Sequence, residues 1–214
     1  MAFPTTGILD DFNRSNAGSL GANWSLLESW YGAGRLGVSG NQVIGSQDSY
    51  PFEYWNPSTF GPDCEVYVTI ADTGGGSEDF YLVLRATDLG DSWDGYGMEI
   101  DKDANPDAGA IFRIDDQAWT QLGASWSQAI SDGDSIGLEA SGSTITAYYY
   151  KAAAAGSWAD VSSGGRTDET YDSAGYLAFY GDGDEISWRQ DNFGGGTVDT
   201  GTALPVLYYH YAHN

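Results

Sequence analysis

Cysteine is nearly absent from this 214-residue chain. Cys64 stands alone, which excludes an intramolecular disulfide, and its place in an apolar alternating segment makes a buried thiol the expectation. Histidine is almost as scarce: His210 and His213 are the only two. With both near the C-terminus, neither a Ser-His-Asp triad nor a histidine-ligated metal centre can be built inside the body of the chain. Basic residues number 8 against 31 acidic ones, a formal charge of −23. Such a surface repels phosphate backbones and anionic lipid alike, so no nucleic acid partner is expected. No segment approaches the roughly 18 consecutive apolar residues of a membrane span, and membrane insertion is not expected either. The opening MAFPTTGILDDF has neither a basic start nor a continuous apolar run, so no signal peptide is expected. A phosphate-cradling G-x-x-x-x-G-K-[ST] loop is also missing.

What the chain has in quantity is glycine and aromatic side chains: 30 Gly, 15 Tyr, 8 Trp and 8 Phe, with 41% of residues apolar. That is enough apolar matter for a real core. The residue types favour strands and turns over helices, and the length suits one large all-β domain. The acids are spread along the chain among the aromatics, so they do not form a disordered polyacidic block.

Period-2 alternation recurs at short intervals, as in a sandwich. CEVYVTI (64–70) puts Cys64, Val66, Val68 and Ile70 on one face and Glu65, Tyr67 and Thr69 on the other. DFYLVLRAT (79–87) sets Phe80, Leu82 and Leu84 inward and Tyr81, Val83 and Arg85 outward. GYGMEID places Tyr96, Met98 and Ile100 on its apolar side, and AIFRID (110–115) can return antiparallel to make a hairpin of 96–115. DSIGLEA and STITAYYY form a second hairpin turning at Ser141-Gly142. Of the helix-prone segments only KAAAAGSW stands out, and it is shorter than the roughly 12 residues an isolated helix needs.

The body of the domain is expected over 1–193. GGGTVDTGTA (194–203) is expected to be a flexible linker. Beyond it Leu204, Pro205, Val206, Leu207, Tyr208, Tyr209, His210 and Tyr211 form an apolar, aromatic arm. Such an arm either folds back as an edge strand or docks on a neighbouring subunit by strand addition.

Two clusters bear on chemistry. Glu99, Asp101 and Asp103 stand at i, i+2 and i+4, on one side of a strand. Asp101, Asp103, Asn105 and Asp107 alternate oxygen ligands as a calcium loop begins, but Pro106 and Phe112 stand where an EF-hand needs glycine and glutamate. Calcium is therefore a candidate ligand, here or at Asp182, Asp184 and Glu185, and no cofactor is required. On the face opposite the apolar one, alternation gathers Tyr67, Tyr81, Arg85, Tyr148, Tyr150 and Tyr180, with Tyr176 and Arg189 nearby. A tyrosine-rich face with a few charges suits stacking and hydrogen bonding of sugars, and Trp55, Trp93 and Trp119 are further candidate platforms. The alternative is that these rings are cross-strand packing.

Three segments carry a family resemblance: ILDDFNRSNAGSLGANWS (8–25), GDSIGLEASGSTITAYYY (133–150) and TYDSAGYLAFYGDGDEISWRQDNFGGG (170–196). In this order they resemble concanavalin A-like jelly rolls of the laminin-G and lectin/glucanase type. The resemblance implies an antiparallel β-sandwich over nearly the whole chain. One branch, the laminarinase and lichenase glycosidases, carries E-I-D-x-E on a strand, and Glu99-Ile100-Asp101-Lys102-Asp103 looks like it. By that match Glu99 is the nucleophile and Asp101 tunes it, while Asp103 departs from the family's acid/base glutamate. The Cα atoms of residues 99 and 103 lie roughly 13 Å apart on a strand. Retaining hydrolysis needs carboxyls about 5 to 5.5 Å apart, and an aspartate reaches less far than a glutamate. The expectation is therefore a noncatalytic protein. Similar modules occur in phage virions. The leading reading is a structural or decoration component of a phage head or tail, made in the host cytoplasm. Its partners would be other virion proteins, copies of itself, or surface carbohydrate. An autonomous carbohydrate-binding adhesin is the chief alternative, and a glycosidase the other.

Overall fold

The computed structural model describes residues 2–29, 34–45, 51–74, 79–90, 92–102, 104–154, 156–181 and 188–199. In chain order the strands are β1 (Ile8–Asp10), β2 (Trp24–Ser29), β3 (Gly37–Ser39), β4 (Gln42–Ile44), β5 (Pro51–Trp55), β6 (Cys64–Thr73), β7 (Phe80–Thr87), β8 (Asp94–Asp101) and β9 (Ala108–Asp115). They continue as β10 (Ala118–Gln121), β11 (Trp126–Ser127), β12 (Ser135–Ser141), β13 (Thr144–Tyr150), β14 (Ala159–Asp160), β15 (Arg166–Thr167), β16 (Tyr176–Gly181) and β17 (Trp188–Thr197). A single 3-10 turn, Ala152–Ala154, is what becomes of the alanine run. Sheet I has the order β14-β13-β12-β6-β17-β4-β3, with β1 also on β17 and β15 on β13. Sheet II has the order β10-β9-β8-β7-β16-β5-β2, with β11 on β9.

Alternation decides what lies between the sheets. Cys64, Val66, Val68 and Ile70 of β6 meet Phe80, Leu82 and Leu84 of β7, Tyr96, Met98 and Ile100 of β8, and Leu177 and Phe179 of β16 in one continuous core. Each fully buried side chain of this kind contributes about 1.5–3 kcal/mol. A one-residue slip of any strand would turn its apolar set to solvent, which pins the register. Burial pushes the Cys64 thiol up to about 12, so it is a small apolar filler rather than a nucleophile. The two expected hairpins are present, β8–β9 and β12–β13, the latter turning through Gly142 at φ +55°.

The closing strand corrects one expectation. The linker predicted from residue 194 does not begin there, because Gly194, Gly195, Gly196 and Thr197 pair with Tyr67, Val66, Glu65 and Cys64 of β6. Val198 is buried as well, its amide donating to the Asp63 carbonyl at 2.9 Å. A glycine run reads as flexible in sequence, yet here the missing side chains make room: a Cβ on Gly194 would strike the Tyr67 ring, and one on Gly196 would meet Thr6 at 3.0 Å. Residues 200–214, the expected arm included, lie outside the described residues.

Arg85 is a second correction. Strict alternation would leave it exposed beside Tyr81 and Val83, but the β7–β8 register shifts between Leu84 and Thr87, and Arg85 takes φ +53°. That bulge turns the side chain inward. It is 1% exposed and donates to the carbonyls of Pro62 (2.8 Å), Tyr171 (2.6 Å) and Gly142 (2.8 Å). One guanidinium thereby ties three loops at one end of the sandwich. Charge-assisted bonds of this kind contribute about 1.5–3 kcal/mol each, and carbonyls left without a donor cost more than bonds never made. Replacement Arg85→Met, which keeps most of the volume, is expected to lower unfolding free energy by at least ~3 kcal/mol in urea titrations. A loss below ~1 kcal/mol would show that water replaces the guanidinium without penalty.

Candidate functional site

The glutamate of the 96–103 stretch lies on the outer face of sheet II. One rung there reads Phe52, Tyr180, Tyr81, Glu99 and Ala110 across five adjacent strands. The rings fill the face themselves. Phe52 stacks on Tyr180 at 4.5 Å, Tyr81 meets Tyr180 edge-on at 4.8 Å, and Trp119 of β10 comes edge-on to Tyr81 at 5.5 Å. Together with Trp93, Val83 and Ile114 they make a second apolar cluster outside the main core. Glu99 accepts a hydrogen bond from the Tyr81 hydroxyl. Burial pushes its carboxyl up, Tyr81 opposes the rise, and the charge of Asp101 adds to it. The side chain of Asp101 meanwhile accepts from the Ala104 amide at 3.1 Å, capping the turn. Asp103 lies outside the described residues.

The predicted sugar-stacking residues fall on two separate faces. Tyr81 and Tyr180 belong to the packed rung of sheet II. Arg85 is interior, as described. Arg189, on β17, donates to the Trp188 carbonyl at 2.8 Å. Among the candidate platforms, Trp93 is buried, Trp55 ends β5 against Trp24 (5.5 Å), and Trp119 covers Gly97. Alternation placed each ring on the correct side of its own strand, but it cannot tell which sheet a strand joins.

Tyr67, Tyr148 and Tyr150 do come together, on the outer face of sheet I. Two neighbouring rungs run across β6, β12 and β13: Tyr67–Gly137–Tyr148, then Thr69–Ser135–Tyr150. Over the second rung, and reaching Tyr67 of the first, lies an open groove of about 370 Å³ lined by Tyr67, Thr69, Ser135, Tyr150, Trp158 and Asn192, together with Pro4 and Ile8. Trp158 stands 5.8 Å from Tyr150 and 6.1 Å from Tyr67, so the groove has three aromatic walls. Its polar groups are neutral: the Thr69 and Ser135 hydroxyls, 3.1 Å apart, and the Asn192 amide. Among the described residues no lysine or arginine lines it, and Asp191 is in register with Thr69. Burial, with Asp11 and Asp10 adding to it against the bond from the Asn192 amide, raises the Asp191 carboxyl.

Trp158, Thr69, Ser135 and Asn192 escaped the sequence reading. Alternation puts Thr69 on the correct face of its strand, but small hydroxyls carry no signal of their own. Trp158 follows a connection whose path the sequence does not show.

The calcium expectation finds no geometry among the described residues, where no cluster of three or more acidic, cysteine or histidine side chains is placed to hold a metal ion. Asp107 accepts from Lys102 at 3.3 Å and from the Ile130 amide at 3.0 Å. Asn105 is exposed in the turn, and Asp182, Asp184 and Glu185 lie outside the described residues.

Two packed antiparallel sheets with this ordering are a jelly-roll sandwich. No protein-family model matches the sequence, and no curated protein does. Solved structures do match in fold. A carbohydrate-binding module, CBM66 from Bacillus subtilis, is 17% identical with a TM-score of 0.50, over 80% of this chain and 92% of that one. The exoplasmic/lumenal domain of VIP36, in a Ca2+/Man3GlcNAc-bound form, is 14% identical with a TM-score of 0.53, over 85% and 90%. The GH43 protein BlXynB from Bacillus licheniformis is 10% identical with a TM-score of 0.51, over 87% of this chain but 38% of that one. The chain has the concanavalin A-like jelly-roll fold, shared with lectin-like and carbohydrate-binding domains.

A carboxyl raised in the folded state holds its proton more tightly there than in the unfolded chain. Its contribution to stability is present at low pH and is lost as pH rises through the raised value. For Glu99 the difference in urea midpoint between Glu99→Gln and the unaltered protein is therefore expected to move in favour of the variant from pH 4 to pH 7. A difference independent of pH would mean that Glu99 is not desolvated.

Proposed function

We propose that this protein is a noncatalytic module that binds a neutral, hydroxyl-rich glycan on the outer face of sheet I. The observation that carries the reading is the groove itself. Aromatic rings stand beside paired hydroxyls and an amide, with no cation among the lining residues. Rings supply apolar faces for stacking and the hydroxyls and amide exchange hydrogen bonds. The net charge of −23 disfavours uronate, sulfated or sialylated ligands. Lectin-like and carbohydrate-binding domains of the same fold support the choice. Hydrolysis is no part of it, since Glu99 is engaged with Tyr81 on a face closed by its own rings.

Affinity electrophoresis in gels containing mannan, xylan, mixed-linkage β-glucan or polygalacturonate tests this. Retention is expected on at least one neutral polymer and not on polygalacturonate. Tyr150→Ala and Trp158→Ala should each weaken it about three- to tenfold, because a stacked aromatic contact contributes about 0.5–1.5 kcal/mol. No retention on any polymer, or retention untouched by both substitutions, would overturn the proposal.

A narrower reading places the module on a virus particle, in the head or tail, with residues 204–214 joining it to other virion proteins or to copies of itself. Support for it comes from the sequence of that arm, LPVLYYHYAHN. Light-scattering mass of the full chain and of a version ending at Thr202 tests the self-assembly form. A defined oligomer that becomes a folded monomer on truncation is expected, and two monomers would exclude assembly through the arm.

A further inference from the structure

The groove does not end at Tyr67 and Trp158. The neighbouring rung, Tyr67–Gly137–Tyr148, lies two strand residues away, about 7 Å along the sheet, and its central glycine leaves a trough between two tyrosines. That trough is occupied by the ring of Phe3. The ring lies flat on Tyr148, with centroids 4.1 Å apart and planes 4° from parallel, and meets Trp158 (4.9 Å, 76°) and Tyr67 (6.3 Å, 78°) edge-on. It rests so closely on the floor that a Cβ added to Gly137 would fall within it. Tyr67 and Trp158 belong to both halves, the filled one and the open one.

A flat ring stacked on tyrosine over a glycine floor is the pose that the apolar face of a pyranose takes on an aromatic platform. We infer that Phe3 is a specificity-determining residue: it plugs one half of a continuous aromatic trough and so limits the length of glycan that the open half accepts. The inference rests on the glycan reading of the groove.

The plug is separable from what holds the N-terminal segment down. Glu65, fully buried, accepts the amides of Thr5 and Thr6 at 2.6 Å each and the Thr6 hydroxyl at 2.7 Å, all on one carboxylate oxygen. The Tyr67 hydroxyl donates to the Thr6 carbonyl (3.1 Å), and the Gly195 amide to that of Gly7 (3.2 Å). All of these bonds lie C-terminal to Phe3 and none uses its ring. Truncating the ring therefore leaves the segment anchored and the trough open.

The test is calorimetric titration of the full chain with manno-, xylo- and β-1,4-gluco-oligosaccharides of one to six units, on the unaltered protein, Phe3→Ala and Phe3→Tyr. Binding by the unaltered protein is expected to stop strengthening at a short length. In Phe3→Ala the plateau should move to a longer oligomer, with the longest ones bound about three- to tenfold tighter than by the unaltered protein, the effect of one added stacking contact. Disaccharide affinity should stay within twofold. Phe3→Tyr keeps a ring in the trough and should follow the unaltered protein. The same plateau in Phe3→Ala, or a uniform loss at every length, would overturn the inference while leaving glycan binding intact. An unaltered protein that keeps gaining affinity up to six units would overturn it without any variant. If no oligomer binds the unaltered protein, the glycan reading falls first and this inference with it.

Discussion

The pairing of the last strand on both its edges is the constraint on which the rest of the structure hangs. β17 lies between β6 and the short strands β1 and β4, so the two ends of the described chain meet in the middle of one sheet. Such long-range pairing is costly in chain entropy before any contact is made, and only the burial that follows offsets it. Phe193 supplies much of that burial, inserting between Trp24 (4.9 Å) and Phe179 (5.1 Å). Gln190 of the same strand reaches through the core to the Tyr180 carbonyl of sheet II at 3.0 Å, tying one layer to the other. The two bulges in β17, at Arg189/Gln190 and Asp191/Gly194, allow one strand to serve core, sheet and outer face in succession.

From that strand the contrast between the two outer faces follows. Beyond Phe193 the side chains vanish for three residues, and the outer face of sheet I gains space where Tyr67 can lie across Gly194 and Thr6 over Gly196. An isolated buried carboxylate would be expensive there, and like charges face each other directly, Glu65 opposite Glu139 in the β6–β12 ladder. The donors of Thr5 and Thr6 answer Glu65, and the Tyr148 hydroxyl answers Glu139 at 2.8 Å. Sheet II solves its exposure differently, by folding the β9–β10 hairpin so that Trp119 covers Gly97 and joins the Phe52, Tyr81 and Tyr180 rings. One face is consequently closed by its own aromatics, and the other keeps a groove.

Much of this was legible in the chain. Alternation in CEVYVTI and GYGMEID gives the inward and outward sets that are observed, because a side-chain period of two needs no knowledge of partners. Phe193 lies in the closing segment that carries the jelly-roll resemblance, and it is buried in the core between the sheets. What the sequence hides is non-local. Tyr67 and Tyr81 read alike, yet one faces out from sheet I and the other from sheet II. Arg85 looks like an exposed charge until a bulge reverses it, and nothing in LRATD announces that bulge. Phe3 carries no signal of its role in the sequence, since its partners Gly137, Tyr148 and Trp158 are more than 130 positions away.

The acidity of the chain bears on the kind of recognition available to it. A net charge of −23 gives the protein a negative long-range field, and Asp191 stands in register with Thr69 of the groove. An anionic ligand would have to approach against that field, and among the described residues no lysine or arginine lines the groove to reverse it. A neutral ligand is indifferent to it. Its affinity then rests on short-range terms, ring stacking and hydroxyl exchange, which fall off within one bond length of misfit and are little affected by salt. In a site of the proposed kind the shape of the trough would decide selectivity, and the Phe3 ring, held flat over Gly137, is the feature that sets that shape here.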